Sequence, residues 1–382
     1  MPCIFQISTS TPGWLRYVNN YFTFTDIGTS NPHTRLQGIE YQNGWEFGQH
    51  KIIAGLEWHK SKASNVLNGY DTEITTKSFY LQDTISLGDK WTLIPGVRYD
   101  YSDKLGKNWS PQVAANYRPD HKTKFYATWG RSYNVPLLNE LYSQRADEEN
   151  LSRIWNTYPI PGFTQGFKNL SPEKGYSAIV GIEHDINEKA GLTFNFFQNR
   201  LKNALAWNDG DSSESGYSVR MATNYLPLKS HGVELTFRQK IDDHFGYNLG
   251  YSHTHTHMQH PESESIPFYR PQPNGYRLGL SYNNRGLKMN LQGVMASGIS
   301  TTFGQQWSND ITLQSYPKRR YAVLDFNLSY DLNDSVTFYF KALNFTNQHY
   351  SNEESIKRSW NDYKEFTPAP GRQFVYGMNV KF

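Results

Sequence analysis

Residues 252–260 (SHTHTHMQH) place His253, His255 and His257 on one face of an extended chain, because side chains two residues apart share a face of a strand. Three imidazoles at that spacing could hold a transition metal or, less readily, a haem iron. They also continue the face of Tyr247, Leu249 and Tyr251, and that parity favours the plainer reading of solvated histidines at a strand end. A second group combines rings with cations. Tyr142, Arg145, Arg153, Trp155, Tyr158, Phe163 and Phe167 fall within one long connection. Tyr269 with Arg270, Trp307, Tyr316 with Lys318 and Arg319, and Trp360 repeat the mixture further on. Rings to stack on and guanidinium groups that grip paired oxygens suit a bulky anionic ligand, while loop-to-loop packing would use the same residues. The chain shows no nucleophile elbow, phosphate loop or paired metal box, so neither catalysis nor a resident cofactor is expected.

These groups need a frame, and composition narrows it. Of 382 residues 37% are hydrophobic and 15% aromatic, with 27 Tyr, 22 Phe and 10 Trp spread along the whole chain. Thirty-eight basic residues balance 35 acidic ones, which leaves no face for a polyanion and sets nucleic acid aside. The single cysteine, Cys3, excludes a disulfide framework and a thiolate zinc site. A mean hydropathy of −0.71, without a run of roughly eighteen apolar residues, excludes a transmembrane helix but not a transmembrane barrel, whose strands meet lipid with every second residue. Residues 1–14 lack a basic n-region, so no signal peptide is expected in this chain, and the segment is expected to be unstructured ahead of a single β-domain over 15–382.

Residues 321–332 (YAVLDFNLSYDL) put Leu324 and Phe326 on one face and Asp325 and Asn327 on the other. Val336, Phe338 and Phe340 oppose Thr337, Tyr339 and Lys341, and Phe374 and Tyr376 oppose Val375, with Lys381 on the latter's parity. Val233, Leu235 and Phe237 oppose Glu234 and Thr236 in the same way. Alternation alone fits a soluble sandwich as well as a barrel. The connections separate them. Tight polar turns at 48–50, 88–90, 119–122, 187–189, 242–244, 284–286 and 333–334 alternate with longer connections near 63–72, 104–108, 135–172, 205–221, 258–273, 300–315 and 350–367. An up-and-down barrel with one tight and one looped rim gives that order, and a Greek-key sandwich gives no reason for it. The expected fold is therefore all-β, a transmembrane antiparallel up-and-down β-barrel of about sixteen strands, the first at residues 15–24. Leu324, Phe326, Phe338, Phe340, Phe374 and Tyr376 then face lipid, and Asp325, Lys341 and Lys381 face the lumen.

Several segments resemble the TonB-dependent outer-membrane receptors. Residues 91–100 (WTLIPGVRYD) are similar to a recurrent strand of that family, and Trp109-Ser110-Pro111 follows at the family's distance. Tyr133-Asn134-Val135-Pro136 and Asn139-Glu140-Leu141-Tyr142 resemble the opening of a long external loop, which Asn169-Leu170-Ser171-Pro172-Glu173 closes. Asn224 before Gly232-Val233-Glu234, then Leu343-Asn344-Phe345-Thr346-Asn347 before Tyr350, and Pro370-Gly371-Arg372 before a last strand ending in Phe382 complete the series. The resemblance implies an outer-membrane barrel in contact with lipid that takes up a ferric siderophore through its external loops. It implies a TonB complex engaged only through an N-terminal region, with a plug, that this chain lacks. The family's barrel has about twenty-two strands, so a partial barrel of a longer protein is expected, one that folds poorly alone and performs no energised transport. A passive pore, or a receptor for cobalamin or haem, is the alternative, although residues 137–168 contain no histidine where haem receptors of the family carry one.

Overall fold

In the computed structural model the described residues are 3–7, 13–23, 33–65, 70–142, 163–165, 170–210, 219–225, 227–258, 273–299, 302–304, 313–315, 319–350, 356–358, 364–366 and 369–381. The first part of the chain forms β1 (Cys3–Ile7), β2 (Gly13–Thr23), β3 (His33–Phe47), β4 (His50–Asn65), β5 (Tyr70–Leu87), β6 (Trp91–Ser102), β7 (Gly106–Tyr117), β8 (Thr123–Asn134) and the short helix α1 (Leu138–Tyr142). Then come β9 (Phe163–Gln165), β10 (Glu173–Asn187), β11 (Ala190–Lys202), β12 (Ala204–Gly210), β13 (Val219–Tyr225), β14 (Leu228–Lys240) and β15 (Phe245–Met258). The last part holds β16 (Asn274–Asn284), β17 (Leu287–Ile299), β18 (Thr302–Gly304), β19 (Leu313–Ser315), β20 (Arg319–Asp331), β21 (Val336–Leu343), β22 (Ile356–Arg358), β23 (Lys364–Phe366) and β24 (Gln373–Val380).

Seventeen of these strands form one antiparallel sheet, and each pairs with the next wall strand along the chain. Only short loop strands are skipped, so that β8 pairs with β10, β11 with β14, β17 with β20 and β21 with β24. The skipped strands make three small sheets of their own on the long connections. This is the meander of an up-and-down barrel, with none of the crossovers of a sandwich. Among the described residues no pairing joins β1 to β24.

Two expectations need correction. Residues 3–7, expected to be unstructured, form β1, which pairs antiparallel with β2 from Cys3↔Tyr17 to Ile7↔Gly13. A strand edge leaves a row of N–H and C=O groups to satisfy, and the segment just before β2 can reach that edge by a simple reversal. The alternation of tight and long connections also fails twice: only four residues separate the paired Asn65 and Tyr70, and the next looped connection is shorter still. Ser102 pairs with Gly106 across residues 103–105, where a long connection was expected. The Ser102 hydroxyl accepts the amides of Lys104 and Leu105, and Gly106 takes φ +77°, so three residues suffice to reverse the chain.

On the opposite rim the tight turns carry their own chemistry. Arg285 and Gly286, at φ +46° and +82°, make a two-residue hairpin between β16 and β17 with both central residues left-handed. The Asp242 carboxylate accepts the amides of His244 and Phe245, each at 2.7 Å, and Asp120 does the same for Lys122 and Thr123. The bonds from Phe245 and His244 hold the Asp242 carboxyl below its ordinary value. A lowered folded value means that its stabilisation is complete above the ordinary carboxylate value and is lost as pH falls through the folded one. Acid unfolding in detergent below about pH 4 should therefore be shallower for Asp242→Asn, which keeps an acceptor oxygen without a titrating proton. Equal acid slopes for the two proteins would remove Asp242 from the acid transition.

The faces follow parity. Ile39, Trp45, Leu56, Phe79, Phe194, Leu235, Leu249, Leu280 and Phe338 are exposed on the outer side of the wall. Tyr376 is 81% and Phe374 58% exposed on the same face as Phe338 and Phe340; Tyr376 pairs with Phe340 and Phe374 stacks on it. Leu324 and Phe326 share that parity on β20, half-buried by neighbouring side chains. A surface this rich in exposed aliphatic and aromatic groups is suited to hydrocarbon rather than water. The inner face carries polar groups, Asp325 and Lys341 among them. It also repeats one packing device: the ring of Tyr80, Tyr126, Phe197 or Tyr339 lies across a glycine of a neighbouring strand, respectively Gly55, Gly181, Gly232 and Gly377. An inward-pointing ring fills the space that a missing side chain leaves.

Candidate functional site

The inner wall over β3 to β8 encloses a cavity of ≈ 710 Å³ that reaches the mouth of the long connection at Tyr133, Asn134 and Val135. Its centre is Arg98 of β6. The guanidinium spans β5 to grip Glu57 of β4 in a two-pronged pair, 3.1 Å and 2.7 Å, and its Nε donates to Asp100 at 2.8 Å. Ser78 donates to the same Asp100 oxygen at 2.7 Å, and Tyr80 donates to Gln42 at 2.7 Å. His59 stands 3.4 Å from Glu40. Three carboxylates thus meet one guanidinium and one imidazole, and the charge of Arg98 is already committed to the wall. The arrangement braces three strands and leaves Arg98 itself unavailable to an anionic ligand. A second guanidinium, Arg131 of β8, lines the same cavity and donates to the neutral Asn108 at 3.1 Å.

Above it, two asparagine clasps close the long connections onto the wall. Asn224 accepts the amide of Ser171 and donates to the carbonyls of Ser171 and Asn203, at 2.7, 2.8 and 2.9 Å. Glu173 accepts the amide of Leu205 and the Asn134 side chain, tying β8, β10 and the start of β12 together. At the last connection Asn344, buried and at φ +45°, donates to the carbonyls of Gln348 and Pro370 and accepts the Gln348 amide, while its own amide donates to Asp325 at 2.6 Å. Asn347 accepts the Arg372 amide at 3.0 Å. An asparagine amide can serve backbone donors and acceptors together, which is why this residue type recurs where loop ends must meet.

Of the residues singled out by sequence, Tyr142 closes α1 and packs half-buried beside Leu138, Leu141 and Leu170, so in this structure it serves the loop-packing role. Phe163 lies in β9 and Arg319 opens β20. Arg145, Arg153, Trp155, Tyr158, Phe167, Tyr269, Arg270, Trp307 and Trp360 lie outside the described residues. His253, His255 and His257 share a face of β15, but among the described residues no group of three or more His, Cys, Asp or Glu side chains could hold a metal together, and the three-histidine site is not formed. Histidines on one strand repeat at about 6.5–7 Å, too far apart for three rings to converge on one ion. The role of Arg98 and the pairing of Asn224 with Ser171 were missed. Both lie in motifs that the sequence displays, but their contacts join residues 41 and 53 positions apart.

Residues 5–345 match the family model described as TonB dependent receptor-like, beta-barrel. The chain belongs to this family. It is 28% identical over 180 residues to the ferric enterobactin receptor of Pseudomonas aeruginosa, a match covering 46% of this chain and 22% of that protein. It is 20% identical over 247 residues to the TonB-dependent heme receptor A of Haemophilus influenzae, covering 52% and 29%. The fold is that of the siderophore receptor PirA from Pseudomonas aeruginosa, with a TM-score of 0.73 at 15% identity over 97% of this chain and 61% of that one. The matches thus span less than a third of the length of these two curated relatives and about three fifths of the solved chain.

Proposed function

We propose that the chain is the wall of an outer-membrane receptor for a ferric siderophore. The outward apolar belt sits in the outer membrane of a Gram-negative cell, and the looped rim faces outside. The observation that carries this reading is the family match over residues 5–345, and the ferric enterobactin receptor among the relatives points to an iron chelate as the ligand. Arg98 is committed to Glu57 and Asp100, so first capture of an anionic chelate is assigned to the loop cations and rings, Arg145, Arg153 and Trp155 above all, with Tyr269, Arg270 and Trp307 beside them, and Arg131 is the cation that the chelate meets on the inner wall below. The bound chelate then passes down the polar lumen, and engagement of the TonB complex is assigned to residues outside the matched barrel.

Quenching of tryptophan fluorescence by ferric enterobactin, with the chain in detergent, tests the loop assignment. Arg153→Ala and Trp155→Phe should each weaken binding about tenfold, equivalent to about 1.4 kcal/mol. Unchanged binding in both variants would overturn the loop assignment. Free passage of unrelated sugars through vesicles carrying the chain, without chelate binding, would favour a passive pore.

A further inference from the structure

His231 of β14 stands directly opposite His255 of β15 in the antiparallel register, and their ring centroids are 5.2 Å apart at an interplanar angle of 49°. The sequence shows His255 only in company with His253 and His257, because the partner lies 24 positions away on the preceding strand. We propose that His231 and His255 form a two-histidine clip for a divalent transition-metal ion on the outer face of the wall, near the looped rim.

The spacing fits one ion. An imidazole nitrogen binds Zn²⁺ at about 2.0–2.1 Å, so the metal lies about 3.2 Å from each ring centroid, and two rings at a near-tetrahedral angle stand roughly 5.2 Å apart. Directly opposed strand residues bring their Cβ atoms within about 4.5–5.5 Å, closer than any two histidines along one strand, so the ladder itself supplies the convergence. Both side chains are exposed, which gives an ion access. His253 is engaged differently: its Nδ1 lies 2.8 Å from Asn274 Oδ1, turning that ring toward β16. His257 lies opposite Lys229, so no second imidazole faces it across the ladder. With no third donor group among the described residues, the remaining coordination positions go to water or to an external ligand. Imidazole pairs suit Cu²⁺, Ni²⁺ and Zn²⁺, with Cu²⁺ the tightest. A bound ion would pin β14 to β15 at the end where β15 gives way to a long connection, stabilising that register by linkage.

The test uses Cu²⁺ alone, titrated into the chain in detergent and read by calorimetry and electron paramagnetic resonance. One site with hyperfine coupling to two nitrogens is expected. His231→Asn and His255→Asn should each weaken it about tenfold or more, with the double variant little worse than either single one, whereas His257→Asn should stay within about threefold. All three side chains are exposed, so the variants should fold, and heat-modifiable gel mobility checks this. Binding unaltered by His231→Asn, or weakened as much by His257→Asn as by His255→Asn, would overturn the clip.

Discussion

Gly232→Val should leave most of the chain unable to reach its folded state. Gly232 is buried on the inner face of β14, between Phe197 of β11 and Thr254 of β15. A Cβ at this position would run into the carbonyl oxygen of His253 and the Phe197 ring. The ring could swing aside, but the carbonyl belongs to the ladder and moves only if the β14–β15 pairing opens. Overpacking costs about 1–3 kcal/mol, and each ladder bond lost adds about 1 kcal/mol, so the sum of about 4 kcal/mol approaches the whole margin of many folded proteins. Gly250→Ala is the control, because its Cβ would meet Arg277 Cβ at 3.3 Å, a crowding of a few tenths of an ångström, with no backbone atom among its nearest neighbours. The fraction of heat-modifiable species after refolding in detergent should collapse for Gly232→Val and stay near the parent for Gly250→Ala. Parent-like refolding of Gly232→Val would mean that the strands are not this close.

Charge placed on adjacent residues of β14 should have opposite consequences. Leu235 points outward, 40% exposed, opposite Phe194 and Tyr251. Thr236 points inward, opposite Thr193 and Gly250. In lipid vesicles Leu235→Arg should destabilise the barrel by about 2–4 kcal/mol, the cost of an arginine on the lipid face near the bilayer midplane, whereas Thr236→Arg should change stability little because the lumen is polar. Urea unfolding of the two variants measures the difference, and equal losses would contradict the assignment of the outer face to lipid.

Parity is a local property of the chain, and it was readable wherever it ran unbroken. A side chain's face depends only on whether its position is odd or even within its strand, so Leu324, Phe338 and Phe374 could be set against Asp325 and Lys341 without knowing any neighbour. Turn sites were readable for the same reason: Asp242 and Asn333 bind amides two and three residues on. The three-residue turn after Ser102 was misjudged because its capping hydroxyl and left-handed glycine look like ordinary polar loop chemistry. The β1 strand was missed because its formation depends on the open edge of β2. Register is different in kind. It belongs to a pair of strands, fixed jointly by the turn that joins them and by the side chains each must bury, and a slip of one residue reassigns every contact. The sequence therefore determined the barrel wall, its two faces and the asparagine-bearing motifs. Only the tertiary structure decided that Arg98 reaches over β5 to Glu57, that Asn224 closes on Ser171 and that His231 meets His255, because each contact exists only once two distant strands are aligned.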